Sequence, residues 1–168
     1  TALFGVGVSG VMSNFCCLYT AGNKFTVYMA EQISMITIDT VKHTITFNSN
    51  TDRSVILDGV KYGTFTKNLG NTRNLYLFKN NQSNLIKGAQ AKIYSCKLYD
   101  GGNLVREFIP CYRKADNVAG MYDLVNDVFY TNAGTGEFKV GEEVILPYEY
   151  KRLQYIEGTG TQYIDTEY

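Results

Sequence analysis

Glycoside hydrolysis needs a pair of carboxylates flanking one bond, about 5 to 9.5 Å apart. On a strand, alternate residues share a face, so an acidic run of period two would supply such a pair. The chain approximates this only weakly. Glu142 and Glu143 are adjacent and face opposite ways on a strand. Asp123 and Asp127 flank a turn. Asp165 and Glu167 have the right spacing but stand at the C-terminal end. All read as solvated surface charge, and no catalytic residue is assigned. His43 is the only histidine, so a Ser/His or Cys/His pair would have to use it. It shares a face with Ile45 and Phe47 in "KHTITFN" and reads as a packed or rim histidine. "GVGVSG" (5–10) fits a dinucleotide fingerprint in its letters alone. That fingerprint needs a helix after the loop to hold a pyrophosphate, and "VMSNFCCLYT" is aromatic and β-like.

Binding chemistry is better represented. A sugar site needs a flat aromatic platform beside amide and carboxylate groups. Tryptophan is absent, but there are 14 tyrosines. Tyr62, Tyr76 and Tyr99 stand near Asn-rich loops, with Asn71 and Asn74 as candidate hydrogen-bonding partners. "NSNTD" (48–52) gathers oxygen ligands of the kind calcium takes, although a polar turn explains the same letters. Calcium is the one cofactor the pattern admits. The 4 cysteines, at 16, 17, 96 and 111, are too sparse for a disulfide scaffold. A regular hairpin turning at Gly101-Gly102 puts Cys96 opposite Glu107 and Cys111 opposite Lys92, too far apart to bond. Free, half-buried thiols are expected, and no ligand spacing for zinc is present.

These residues must be held by β structure. The 168 residues suffice for one domain with a sizeable core. Tyr, Phe, Val and Thr suit a pleated, half-buried surface, and 16 glycines supply turns. Strand-like runs recur every 8 to 12 residues or so, separated by Gly, Asn and Asp. "SVILDGVKYGTF" (54–65) reads as a hairpin turning at Asp58-Gly59. "AKIYSCKLYDGGNLVREFIPC" (91–111) and "GMYDLVNDVFYTN" (120–132) are further hairpins, the latter turning at Asn126-Asp127. Only "NQSNLIKGAQ" (81–90) has room for a helical turn. Such strands must bury one face, which predicts an all-β, two-sheet antiparallel jelly-roll sandwich. The 16 basic and 16 acidic residues cancel, leaving no electrostatic footprint for nucleic acid or an anionic membrane.

At "AKIYSCKLYDGGNLVREFIPC" the chain resembles the late hairpin of concanavalin A-like, laminin-G-like jelly-roll modules of bacterial surface and phage tail proteins. "LFGVGVSG" (3–10), "KHTITFN", "VILDGVKYGTF" and "GMYDLVNDVFYTNAGTGEF" follow the same pattern in the same order. The resemblance implies a non-enzymatic extracellular or virion-surface module, for adhesion and assembly or for binding host or microbial glycan.

"YKRLQYIEGTGTQYIDTEY" (150–168) resembles the opening strands of that fold, here placed last. The expected division is a sandwich body, 1–145, and a C-terminal segment, 146–168. This segment would start a next repeat, complete its own sandwich, or complete a neighbouring copy by donor-strand exchange into a fibre. Leu153, Tyr155, Ile156, Tyr163 and Ile164 would supply its apolar contacts.

Overall fold

The computed structural model describes residues 2–8, 11–29, 31–48, 52–66, 74–81, 88–144 and 150–167. Every regular element among them is a β-strand. In chain order these are β1 (Ala2–Val8), β2 (Val11–Ala21), β3 (Lys24–Met29), β4 (Gln32–Thr37), β5 (Ile45–Phe47), β6 (Ser54–Leu57) and β7 (Val60–Thr64). Then come β8 (Tyr76–Leu77), β9 (Asn80–Asn81), β10 (Gln90–Ile93), β11 (Cys96–Asp100), β12 (Asn103–Arg113), β13 (Val118–Asp123) and β14 (Val128–Tyr130). The last are β15 (Lys139–Val140), β16 (Glu143–Val144), β17 (Tyr150–Leu153), β18 (Ile156–Thr159) and β19 (Ile164–Asp165). The pairings are antiparallel except for a short parallel contact of β9 with β1.

The tight hairpins follow from residues that tolerate positive φ. Asp58 and Gly59 lie at φ 49° and 82°, between β6 and β7. Gly101 and Gly102 lie at 55° and 86°, between β11 and β12. The turn at Asn126-Asp127 joins β13 to β14, with Asp127 at 55°. Residues 5–8 of "GVGVSG" lie on β1, residues 9 and 10 lie outside the described residues, and the next described element is the strand β2. In "KHTITFN" the alternation holds: His43, Ile45 and Phe47 are half-buried, and Lys42, Thr44 and Thr46 are exposed. Most of the 81–90 stretch lies outside the described residues.

The sheets run β19-β8-β1-β2-β3-β4 with β9 on β1, β14-β13-β12-β17-β16 with β11 on β12, β10-β18-β15, and β5-β6-β7. Two apolar cores lie between them. One packs Leu18, Val27, Met29 and Met35 of β2–β4 against Val55, Leu57 and Phe65. The other joins Leu77, Phe78, Phe108, Met121 and Phe138 to Leu153, Ile156 and Ile164.

The register of the long hairpin differs from expectation. A register shift between Leu98 and Tyr99 puts Cys96 opposite Phe108 rather than Glu107. β10 also parts from β11 after Ile93 and joins β18 in another sheet. Cys111 therefore faces Gly120 and Arg152, not Lys92.

Candidate functional site

The C-terminal segment pairs with strands of its own chain, and mostly as a central strand. β17 lies between β12 and β16, with Cys111 opposite Arg152 and Glu143 opposite Leu153. β18 lies between β10 and β15, with Ile93 and Val140 both opposite Ile156. β19 forms an edge on β8, with Leu77 opposite Ile164. A central strand satisfies the hydrogen bonds of its neighbours on both sides. Without β18, β10 and β15 lose the only sheet partner they have among the described residues.

Leu153, Ile156 and Ile164 have no exposed surface. Each contributes about 1.5–3 kcal/mol by leaving water. Tyr155 and Tyr163 are half-buried and make ring contacts instead. Tyr155 tilts against Tyr94, with centroids 5.4 Å apart. Lys92 lies 4.2 Å from the centre of the Tyr155 ring and Lys42 lies 4.5 Å from that of Tyr94. A hydrogen bond with Tyr155 holds the Lys92 ammonium above its ordinary pKa. Tyr163 stacks on Tyr76 at 4.7 Å, with Lys79 5.0 Å from the Tyr163 ring centre.

Glycines clear the path of the segment. A Cβ on Gly88 would stand 2.6 Å from the Gly160 carbonyl oxygen. One on Gly134 would collide with the Thr161 carbonyl oxygen, and one on Gly141 would stand 2.8 Å from the Tyr155 ring. Within the segment, a Cβ on Gly158 would stand 2.7 Å from the Phe78 ring. Gln162, buried, locks the crossing. Its Oε1 accepts from Thr159 N at 2.7 Å, and its Nε2 donates to the Glu137 carbonyl at 2.9 Å. Asn132 Oδ1 accepts from Gly134 N at 2.8 Å and Tyr163 N at 3.2 Å. The loop after β14 is thus shaped around the segment by glycines, an amide cap and a buried glutamine.

The sequence singled out neither Gln162 nor these glycines. Gly134 falls within "GMYDLVNDVFYTNAGTGEF" (120–138), Gly88 within "NQSNLIKGAQ" (81–90), and Gly158 and Gln162 within the 150–168 stretch.

The candidate glycan residues separate. Tyr62 is on β7, 38% exposed, and Tyr99 is on β11, 59% exposed. Tyr76 and Asn74 lie together beside β19, where Asn74 Nδ2 donates to Asp165 Oδ1 at 3.0 Å. Asn71 lies outside the described residues. Of the oxygen cluster at 48–52, Asn48 and Asp52 are described, and Asp52 caps Ser54, accepting from its N at 3.1 Å and its Oγ at 2.7 Å. Among the described residues, no group of His, Cys, Asp and Glu could hold a metal ion.

Asp123 is not the solvated charge that its sequence position suggested. It has no exposed surface, and Oδ1 accepts from Glu107 N at 3.0 Å and Val125 N at 3.1 Å. Its Oδ2 accepts from Asn126 Nδ2 at 2.7 Å and lies 3.4 Å from Arg106 Nε. A buried carboxylate is retained only with such partners. The carboxylate ties the β13–β14 turn to β12. His43 sits between Asp58, 2.7 Å from Nδ1, and Asp39, 2.9 Å from Nε2. These bonds hold its pKa above the ordinary imidazole value, despite partial burial. Cys96 and Cys111 are free thiols. Burial pushes the thiols of Cys96 and Cys111 up to about 12, so they stay protonated and unreactive near neutrality.

Comparison with protein-family models, curated proteins and solved structures finds no match to the chain.

Proposed function

We propose that this chain is a non-enzymatic adhesion and assembly module, a jelly-roll sandwich of the concanavalin A-like, laminin-G-like class, whose C-terminal segment is its assembly strand. The observation that carries this reading is the fit between segment and groove. Gly88 and Gly134 leave room for a main chain and for nothing larger. Strand addition works in this way, with main-chain bonds giving affinity and pockets for alternate side chains giving specificity. Leu153, Ile156 and Ile164 fill those pockets.

Within one chain, the covalent tether holds the segment at high effective concentration beside its own groove. The same pairing between copies joins them head to tail, and a heterologous contact that does not close grows into a fibre. The setting that goes with this class is extracellular, at a cell or virion surface. Catalysis has no support from the carboxylates, since Asp123 is committed to a turn.

Light scattering over a dilution series tests the reading. The expected mass exceeds that of one chain, rises with concentration, and falls to one chain in the Ile156→Asp, Ile164→Asp variant. A stable single-chain mass at all micromolar concentrations would overturn exchange between copies.

A further inference from the structure

We infer that Tyr76 and Tyr163 form an oxidative cross-linking site, at which a dityrosine bond fastens the C-terminal segment into its groove. The register creates it. Leu77 and Ile164 are opposite one another and turn inward, at 1% and 0% exposure. Tyr76 and Tyr163 each neighbour one of them in sequence, so the pleat puts both rings on the other face. There they are diagonal neighbours across the β8–β19 pair, a spacing that aromatic rings can bridge.

The two rings stack at 4.7 Å, with 24° between their planes. One belongs to the body and the other to the segment. The main chain beside each is tied down. Tyr163 N donates to Asn132 Oδ1 at 3.2 Å, Ala133 N to the Tyr163 carbonyl at 3.0 Å, and Thr166 N to the Leu75 carbonyl at 3.2 Å. Both rings are half-buried, so part of each meets solvent and an oxidant. A one-electron oxidant, such as a peroxidase intermediate, takes an electron from each phenol as each hydroxyl proton leaves. The two neutral phenoxyl radicals join through a ring carbon ortho to each oxygen. The hydrogens on those carbons then move to the oxygens and restore both aromatic rings. The sum is two tyrosines and one hydrogen peroxide giving one dityrosine and two waters. Radicals held beside one another couple before either meets a distant ring. Lys79, 5.0 Å from the Tyr163 ring centre, does not oppose a neutral radical. Tyr94 and Tyr155 also pair body with segment, but at 5.4 Å and 59°, with Tyr155 hydrogen-bonded to Lys92. The near-parallel pair is therefore the site. The bond secures β19, whose pairing with β8 spans two residues at a sheet edge. The site rests on the segment occupying its groove, whether the segment is the chain's own or a neighbour's. It does not rest on exchange.

Treating the whole chain at low micromolar concentration with a haem peroxidase and hydrogen peroxide tests this. Dityrosine fluorescence is expected, and peptide mapping should find the fragments carrying Tyr76 and Tyr163 joined, less two hydrogens. Tyr163→Phe keeps an aromatic stack without the phenol, and should lower the dityrosine yield about tenfold or more. The yield should persist in Tyr62→Phe and Tyr99→Phe, where the native rings are exposed. Thermal melting of each variant separates lost coupling from lost fold. No dityrosine, links found mainly at Tyr62, Tyr99 or the Tyr94–Tyr155 pair, or an unchanged yield in a folded Tyr163→Phe chain would overturn the site. A denaturing gel of the same samples reports exchange separately. The Tyr76–Tyr163 link leaves single chains when the segment docks on its own body and joins chains when it is exchanged, so failure of the site and failure of the assembly reading are distinguishable.

Discussion

His43 is held from both sides by carboxylates, and a ring that donates from both nitrogens must carry both protons. Its folded pKa lies above 6.5, first because of Asp58 and then Asp39. Its stabilisation is therefore fully present below that value and fades as pH rises through the folded pKa. Asp58 and Asp39 are both held below 3.8, Asp58 chiefly by Thr44 N and then His43, Asp39 chiefly by His43. Their contribution is present above that value and fades as pH falls through the folded pKa. The clamp between the 38–44 loop and the β6–β7 turn is thus tightest at about pH 4 to 6.5. Melting wild type and His43→Gln from pH 4 to 8 should show the largest difference near pH 5 to 6, shrinking above it; a flat difference would contradict the clamp. The glycines make a second claim at this scale. Gly88→Ala and Gly134→Ala should each destabilise the chain by about 1–3 kcal/mol and loosen the C-terminal segment, because their neighbours there are backbone. Gly101→Ala has open space but a φ of 55°, so it should cost about 1 kcal/mol and leave the segment docked. Hydrogen exchange along 150–168 separates the outcomes; equal protection in all three variants would refute the fit.

At the scale of elements, the C-terminal segment holds neighbours in two sheets in place, since β17 and β18 are each a central strand, and its buried apolar side chains all join one core. Ile156→Asp with Ile164→Asp puts carboxylates into the apolar cluster around Leu77, Phe78 and Met121. The chain should lose several kcal/mol of stability by chemical denaturation. Tyr155→Ala, at a half-buried ring, should cost much less; similar losses for both would mean the pockets are not specific. Local chemistry made much of this architecture legible in the sequence. Asp58-Gly59 and Gly101-Gly102 announce their turns through φ, and the alternation around Ile45 announces its buried face. The register of the long hairpin was not legible, because a shift at Leu98 leaves no mark in residue type. The burial of Asp123 was equally hidden, since one of its donors, Glu107 N, and its ion-pair partner, Arg106, lie on another strand. The candidate sugar residues were legible only as types. Which tyrosine meets which carboxylate is fixed by pairing between residues about ninety positions apart.

At the scale of the molecule, we propose that the body and the C-terminal segment act as receptor and ligand joined by a tether. The glycines at 88, 134 and 141, the Gln162 lock and the three buried apolar side chains belong to one interface. In this proposal the groove recognises the strand itself and not merely its covalent attachment. Calorimetric titration of the Ile156→Asp, Ile164→Asp chain with a synthetic peptide of residues 150–168 tests this most directly. Saturable binding of one peptide per chain is expected, with recovery of strand circular dichroism and thermal stability. A chain that neither binds the peptide nor gains structure from it would contradict the claim.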